Sequence, residues 1–274
     1  MTANATVAAP DAEPPILEKI RAAQRAARTS FQLKFVATWL VILGAIAVAI
    51  VATGNADPGF ARDWSTYILG GAGLTILISV VSIFLATIFA IIGALGRLSR
   101  NGFINGAASL YVSLVRGTPL LVQILFVFFA LPQMGIILDP IPAGIVALSF
   151  NYGAYMTEIF RAGIQAVPRG QREAAEALGM PERLVMRRIV LPQAVRIVVP
   201  AIGNDFVSMI KDSSLVSVVG LQEILWRANT VGRSNSQLIQ ALLIAALVYW
   251  ALTIFFSYFQ ARLERRLAQS DVRI

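Results

Sequence analysis

Long apolar segments are the feature that most limits how this chain can fold. Six of them recur along the sequence, at 35–53, 67–96, 118–134, 141–164, 193–211 and 238–259. A helix of about 20 apolar residues spans the hydrocarbon core of a bilayer, and few other structures satisfy every backbone polar group there. The sequence therefore predicts an all-α membrane protein, built as a six-helix transmembrane bundle.

The composition agrees with a membrane protein and excludes several classes of enzyme. Of the 274 residues, 57% are hydrophobic and 14% are charged, whereas a soluble domain carries about 25% charged residues. The chain contains no Cys and no His, which excludes disulfides, thiol nucleophiles, Ser-His-Asp catalysis and the usual zinc sites. We therefore expect no catalytic residue, no metal site and no cofactor in this chain.

The distribution of positive charge predicts an orientation in the membrane. If the N-terminus lies inside, only Arg62, Lys211, Arg227 and Arg233 fall on the outer side, and the remaining 19 of the 23 Lys and Arg residues lie inside. Lys and Arg are enriched on the cytoplasmic side of membrane proteins. We therefore expect both termini to be cytoplasmic, and the net charge of +8 needs no nucleic-acid partner.

Two segments outside the spans each have two interpretations. Residues 1–15 are predicted to be disordered, and 16–31 carry an apolar stripe beside basic residues. This pattern fits an amphipathic helix on the inner membrane face or a solvated helical linker. Residues 221–228 place four apolar side chains on one helical face, which either receives a soluble partner or caps the bundle.

A polar, arginine-rich loop at 168–192 carries the most specific motif. Glu173-Ala174-Ala175 is followed by Gly179 after three residues, then by Ile189, Leu191 and Pro192. All seven positions resemble the cytoplasmic "EAA" loop of the membrane subunits of binding-protein-dependent ABC importers, which docks onto the ATPase. The resemblance implies that these seven residues and Arg172 form the ATPase-coupling site. Gly179 and Pro181 suit a bend between two short helices.

Three further segments are similar to the polar amino-acid uptake branch of these type I importers, the histidine/glutamine-permease-like group. They are 115–123, 154–164 and 211–215. The resemblance implies a five-helix core paired with a second permease subunit, in a bacterial cytoplasmic (inner) membrane. It also implies an ATPase subunit dimer that binds ATP and Mg, an extracytoplasmic substrate-binding protein and an amino-acid substrate.

The resemblance divides the chain into four parts. Residues 1–33 form a cytoplasmic tail with the amphipathic helix, and 34–66 form an extra N-terminal transmembrane helix with an outer loop. Residues 67–262 form the permease core, and 263–274 form a cytoplasmic tail. The first span lies outside the usual five-helix core.

Polar side chains inside the spans are candidates for a substrate path. Asn151, Tyr155 and Glu158 lie at helical spacing on one face of the fourth span, and Asn204 and Asp205 lie in the fifth. A charge near the bilayer centre costs about 2.5–3.5 kcal/mol, so such groups face protein or water. These residues either hold the ammonium and carboxylate groups of an amino acid or bond neighbouring helices, with Glu158 pairing with Arg161.

The sequence thus predicts the transmembrane subunit of an ATP-driven amino-acid importer that performs no covalent chemistry itself. It contains no phosphate-binding GxxxxGK[ST] loop, so ATP hydrolysis belongs to the partner. Two alternatives stay open. One is a permease for another small organic ion such as an opine, and the other is an ion-coupled secondary transporter, which would need no EAA loop.

Overall fold

The computed structural model describes residues 15–52 and 57–268, and throughout these ranges the ordered elements are helices. The all-α prediction is confirmed. The predicted disordered tail, apart from Pro15, and the last six residues of the C-terminal tail lie outside the described residues. The described α-helices are α1 Pro15–Ala52, α2 Pro58–Leu69, α3 Ala72–Arg97, α4 Gly102–Arg116, α5 Leu120–Leu125, α6 Pro140–Gln165, α7 Arg169–Ala177, α8 Glu182–Val185, α9 Leu191–Asp212, α10 Ile224–Ser234 and α11 Leu238–Ala268.

Helix α1 belongs to one unit of the structure, and the remaining helices form a second unit. It is one continuous helix of 38 residues, so it joins the predicted amphipathic segment to the first predicted span without a break. The rings of Phe31, Phe35 and Trp39 follow one another along it, with centroid distances of 6.2 and 5.8 Å. Residue 53, the predicted end of that span, lies outside the described residues.

Part of the predicted outer loop before residue 67 is the helix α2. Asp57 caps this helix by accepting a hydrogen bond from the Gly59 amide at 2.8 Å, and Pro58 occupies the first turn. Both are established signals for a helix start. Gly70 and Gly71 then lead into α3, where a β-carbon at Gly71 would lie 2.6 Å from the Ile224 amide nitrogen. A glycine is required there because α10 approaches so closely.

The segments around the third predicted span differ from the prediction. Helix α4 fills most of the predicted inner loop 97–117, and Asn101 caps it. The span itself is not one α-helix, because α5 is followed by a π-helical turn at Phe126–Ala130 and a 3₁₀ turn at Leu131–Met134. The axes of 102–116 and 120–134 are bent by 105° relative to each other. Pro119 accounts for this break, since proline disfavours helical backbone in the residue before it.

Within the described residues, two helical stretches are long and apolar enough to cross a membrane by length and composition. They are Pro58–Arg97, of 40 residues, and Leu238–Leu267, of 30 residues, and the bent pair gives a third if it counts as one span. Helices α6 and α9 coincide with the fourth and fifth predicted spans but carry more polar residues. The six-span topology therefore stays a prediction.

The interior of the second unit is built around α3, α6 and α9. Ala86 and Ala90 of α3 pack against Tyr152 and Met156 of α6 and Met209 of α9. Small side chains at this contact allow the helix backbones to approach closely, as is common between membrane helices. A second cluster attaches the loop 168–192 to the ends of α6 and α9, through Ile164, Val167, Ala175, Val185, Val190 and Ala194.

Candidate substrate cavity and coupling loop

A cavity of about 540 Å³ opens where α4 ends and α5 begins, facing α6 and α9. The bend between α4 and α5 forms one wall, and polar positions of α6 and α9 form the other. Its lining residues are Arg116, Gly117, Thr118, Pro119, Leu120, Asn151, Tyr152, Tyr155, Asp205, Ser208 and Asp212.

The basic group of this cavity is Arg116, the last residue of α4. Its guanidinium lies over the ring of Tyr155, with 5.1 Å between the guanidinium carbon and the ring centroid. This distance is within the range of a cation–π contact. Because the helix ends here, the arginine side chain borders the cavity instead of lying against the next turn.

Gln123 of α5 connects the two sides of the bend between α4 and α5, next to the cavity. Its side-chain amide nitrogen donates to the carbonyl oxygens of Val115 and Thr118, at 2.8 and 3.1 Å, and to Thr118 Oγ1 at 2.9 Å. Its carbonyl oxygen accepts a hydrogen bond from Asn151 Nδ2 at 3.2 Å. Asn151 is 5% exposed, so this network fixes the orientation of a buried amide at the cavity wall.

The acidic side of the cavity contains two carboxylates in different surroundings. Asp212 accepts a hydrogen bond from the Tyr152 hydroxyl at 2.7 Å. Asp205 Oδ2 is buried and has no hydrogen-bond partner among the described residues. A buried polar atom without a partner is costly and rare in folded proteins. The cavity lining therefore combines a guanidinium with two carboxylates, of which that of Asp212 is hydrogen-bonded, and together they suit a small molecule bearing both charges.

The structure brings three of the five predicted substrate-path residues together and leaves two elsewhere. Asn151, Tyr155 and Asp205 line the cavity. Glu158 is outside this lining, where Oε1 accepts from Arg97 Nε at 3.1 Å and Oε2 accepts from Arg161 Nη2 at 2.7 Å. Asn204 is exposed and also outside the lining. The pairing of Glu158 with Arg161 was one of the two interpretations of the sequence.

Five polar lining residues were not assigned to the path from the sequence: Arg116, Thr118, Tyr152, Ser208 and Asp212. Arg116 and Asp212 do lie in the segments that resemble the importer branch, so a signal was present. Arg116 was missed because the sequence predicts an inner loop over 97–117. The bend at Pro119 lets Arg116 line the same cavity as residues of α9.

The loop 168–192 forms the two short helices that the sequence predicted. Between them, Gly179 adopts a φ of +77°, a left-handed conformation that favours glycine. Glu173 and Ala174 of α7 are exposed, and so is Leu178, which follows the helix and is 82% exposed. Ala175 is 3% exposed and packs against the bundle. The loop thus presents one face outward and anchors the other.

The remaining residues of the predicted coupling site divide in the same way. Arg172 Nη2 donates to the carbonyl oxygen of Ile164 at 2.7 Å, so its guanidinium ties α7 to α6. Ile189 packs against the buried cluster, whereas Leu191 and Pro192 are exposed. Arg172, Ala175 and Ile189 therefore position the loop, and Glu173, Ala174, Leu191 and Pro192 are accessible to a partner.

Comparison with known proteins identifies the family to which most of the chain is similar. Residues 86–269 match the family described as binding-protein-dependent transport system inner membrane component. The L-cystine transport system permease protein TcyB of Bacillus subtilis is 40% identical over 199 residues, which cover 72% of this chain and 85% of that protein. The arginine transport system permease protein ArtQ of the same organism is 39% identical over 206 residues, covering 75% of this chain and 94% of that protein.

Solved structures agree with the sequence comparison. The crystal structure of an amino acid ABC transporter with histidines superposes with a TM-score of 0.74 at 34% identity, over 77% of this chain and 99% of that chain. An inward-facing MetNI methionine ABC transporter shares the fold, with a TM-score of 0.60 at 18% identity over 77% of this chain and 99% of that chain. The chain therefore belongs to the family of binding-protein-dependent transport system inner membrane components.

Proposed function

We propose that this chain is the permease subunit of an ATP-driven amino-acid importer in a bacterial cytoplasmic membrane, with the cavity beside Arg116 and Asp205 as its substrate path. The cystine and arginine permeases that it resembles support the substrate class. The charges of the cavity support it independently, because an amino acid carries one ammonium and one carboxylate group.

The presence of the Asp205 carboxylate and the Arg116 guanidinium in one cavity lining is the observation that carries this proposal. An ammonium group in the cavity would pair with the carboxylate of Asp205, and charge-assisted bonds of this kind are stronger than neutral ones. Arg116 would pair with the substrate carboxylate, and the amide of Asn151 would orient the remainder. Glu158 would join α3 to α6 through its bond with Arg97, while Arg161 of α6 itself holds its second oxygen, and it would not contact substrate.

The test is the variant Asp205→Asn, which keeps the shape of the side chain and removes its charge. Uptake of the transported amino acid by the reconstituted complex should show a KM raised by about tenfold or more, since losing one partner of a buried charge pair costs about 2–5 kcal/mol. The control is Asn204→Ala, at the exposed neighbouring position, which should leave KM unchanged. Equal KM values for wild type and Asp205→Asn would overturn the assignment of the cavity.

We also propose that the exposed face of α7 is the surface onto which the ATPase docks. The seven motif positions support this role, and so does the arrangement of the loop, because its inner face is anchored by Arg172 and Ala175. Movement of the partner would then be transmitted to α6 and α9, which the loop connects. Alternating access of the cavity would follow as a rigid-body change between two states.

Charge reversal at Glu173 tests the docking surface. Glu173→Lys should insert into the membrane normally but lose ATPase association and substrate-stimulated hydrolysis, because an exposed carboxylate at the contact becomes a lysine. Glu182→Lys, an exposed reversal on α8 outside the motif, serves as the matched control. The two are compared by co-purification of the ATPase with the permease. Association at the wild-type level in Glu173→Lys would show that α7 is not the docking site.

The remaining partners follow from the family. We propose that the permease pairs with a second copy or a sister chain, that an extracytoplasmic binding protein delivers the substrate, and that ATP and Mg bind to the ATPase dimer. We further propose the four-part division at residues 33, 66 and 262, with six spans and both termini cytoplasmic. The distribution of Lys and Arg supports this orientation.

A further inference from the structure

An exposed stripe on α11 changes from apolar to basic along its length. Leu247, Trp250, Ile254 and Tyr258 follow one another at steps of three, four and four residues, with exposed fractions of 59%, 45%, 53% and 57%. Residues at these steps share one helical face. Arg262, Arg265 and Arg266 continue the same face after Tyr258. The stripe therefore ends in three arginines that lie on the same side of the helix.

These arginines form a concave surface together with Tyr258. The four residues line a depression of about 330 Å³. Arg265 is held in part by its Nε, which donates to the Ala261 carbonyl oxygen at 3.1 Å. Among the described residues, none of the three arginines is within salt-bridge distance of a carboxylate. The depression therefore carries positive charge that the described part of the chain does not neutralise.

The nearest carboxylate in the sequence is on another face of α11. Glu264 accepts a hydrogen bond from Gln260 at 3.1 Å and lines a different cavity, with Gln193 and Pro200 of α9. The acidic and basic residues at this end of the helix are therefore separated, with the arginines on the exposed side.

We propose that Tyr258, Arg262, Arg265 and Arg266 bind the phosphate headgroup of an anionic phospholipid, whose acyl chains lie along the stripe from Leu247 to Tyr258. Clusters of Lys and Arg beside a membrane span attract anionic lipids. Tyr is enriched where hydrocarbon meets water, because its ring is apolar and its hydroxyl is polar. The site is distinct from the substrate cavity and does not depend on the function proposed for it.

The apolar part of the stripe favours a lipid over a soluble anion. A free phosphate would use only the three guanidinium groups, whereas a phospholipid also covers the exposed side chains of Trp250 and Ile254. Charge and exposed apolar surface are adjacent on one helix, as they are in a phospholipid molecule.

The experiment compares lipid binding to the purified full-length chain by native mass spectrometry. Phosphatidylglycerol and phosphatidylcholine with identical acyl chains are the two probes. The triple variant R262Q/R265Q/R266Q should lose about tenfold or more of its apparent affinity for phosphatidylglycerol, with phosphatidylcholine binding unchanged, because three charges near the headgroup are removed. Unchanged binding of phosphatidylglycerol would overturn the proposal.

The matched control is R183Q/R187Q/R188Q, which removes the same charge from exposed positions of the coupling loop. It should retain phosphatidylglycerol, and an equal loss in this variant would mean that net charge alone governs binding. The single variant R262Q covers the case in which the triple variant does not fold, and it should weaken phosphatidylglycerol binding at least about twofold.

Two further measurements distinguish other occupants of the surface. Inorganic phosphate at millimolar concentration should not displace bound phosphatidylglycerol, and displacement would assign the arginines to a free anion instead. Cross-linking and mass measurement report the oligomeric state. If the triple variant changes that state while its phosphatidylglycerol affinity stays at the wild-type value, the face contacts another copy of the chain, and the lipid assignment is wrong.

Discussion

Single residues connect elements that are distant in the sequence, and Glu223 is the most buried example. This carboxylate is fully buried and lies outside the predicted spans. Its Oε1 accepts from the Trp226 amide at 2.8 Å, which caps α10, and its Oε2 accepts from the Tyr249 hydroxyl of α11. Burial raises the pKa of Glu223 above its usual value, although the hydrogen bonds from Tyr249 and the amides of α10 oppose the shift.

The raised pKa predicts how stability depends on pH. The folded state holds the proton of Glu223 more tightly than the unfolded state, so the associated stability is present below the ordinary pKa of 4.5 and is lost as pH rises through the folded-state pKa. Glu223→Gln keeps an acceptor for the cap and cannot titrate. Thermal unfolding in detergent from pH 4.5 upward should therefore decline less steeply in Glu223→Gln than in wild type. Parallel curves would contradict a titrating Glu223.

At the scale of elements, the packing of α3 against α6 depends on glycine at particular positions. A β-carbon at Gly93 would overlap Thr157 Oγ1, and one at Gly153 would lie 2.7 Å from Phe89 Cβ. Gly73, in the same helix α3, has no atom within 4 Å of the corresponding position. The two helices approach closely at Gly93, whereas Gly73 faces open space.

This contrast predicts different costs for the same substitution in one helix. Gly93→Val should destabilise the protein by about 1–3 kcal/mol or more through overpacking. Gly73→Val introduces the same side chain without a collision and should retain wild-type stability within about 0.5 kcal/mol. Melting temperature and the yield of folded monomer measure the difference. If both variants behaved alike, intrinsic helix propensity would decide stability here, and the close contact would not.

At the scale of the whole molecule, the orientation in the membrane is open to a direct labelling test. The chain has no cysteine, so a single introduced thiol reports one position. Arg233 lies in α10, on the predicted outer side, and Arg183 lies in the coupling loop, and both residues are exposed. The six-span map places these two positions on opposite sides of the membrane.

We expect a membrane-impermeant maleimide to label R233C in intact cells and to label R183C only after permeabilisation. The reason is the positive-inside distribution of Lys and Arg. Labelling of R183C from outside would overturn the proposed orientation, and labelling of both positions from the same side would remove the span between them. Transport by both variants provides the control for correct assembly.

The sequence predicted those parts of the molecule that depend on local pattern. Apolar length predicted helices, because a membrane helix satisfies its own backbone hydrogen bonds. The position of Gly179 predicted the turn after α7, and its φ of +77° agrees. Helices α2 and α4 were missed although Asp57 and Asn101 are good caps, because most of each helix lies outside the long apolar segments, where hydropathy does not distinguish a helix from a loop.

Which residues line the cavity depends on the tertiary structure. Asn151, Tyr155 and Glu158 share a helical face at the level of sequence, yet only the first two reach the cavity. Glu158 instead forms an ion pair with Arg97 of α3, which is 61 residues away in the chain. The bend at Pro119 places Arg116 in the same cavity lining as Asp205 of α9. Helical spacing can be read from neighbouring residues in the sequence. An ion pair between two helices forms only when those helices pack together, and the sequence pattern does not show that packing.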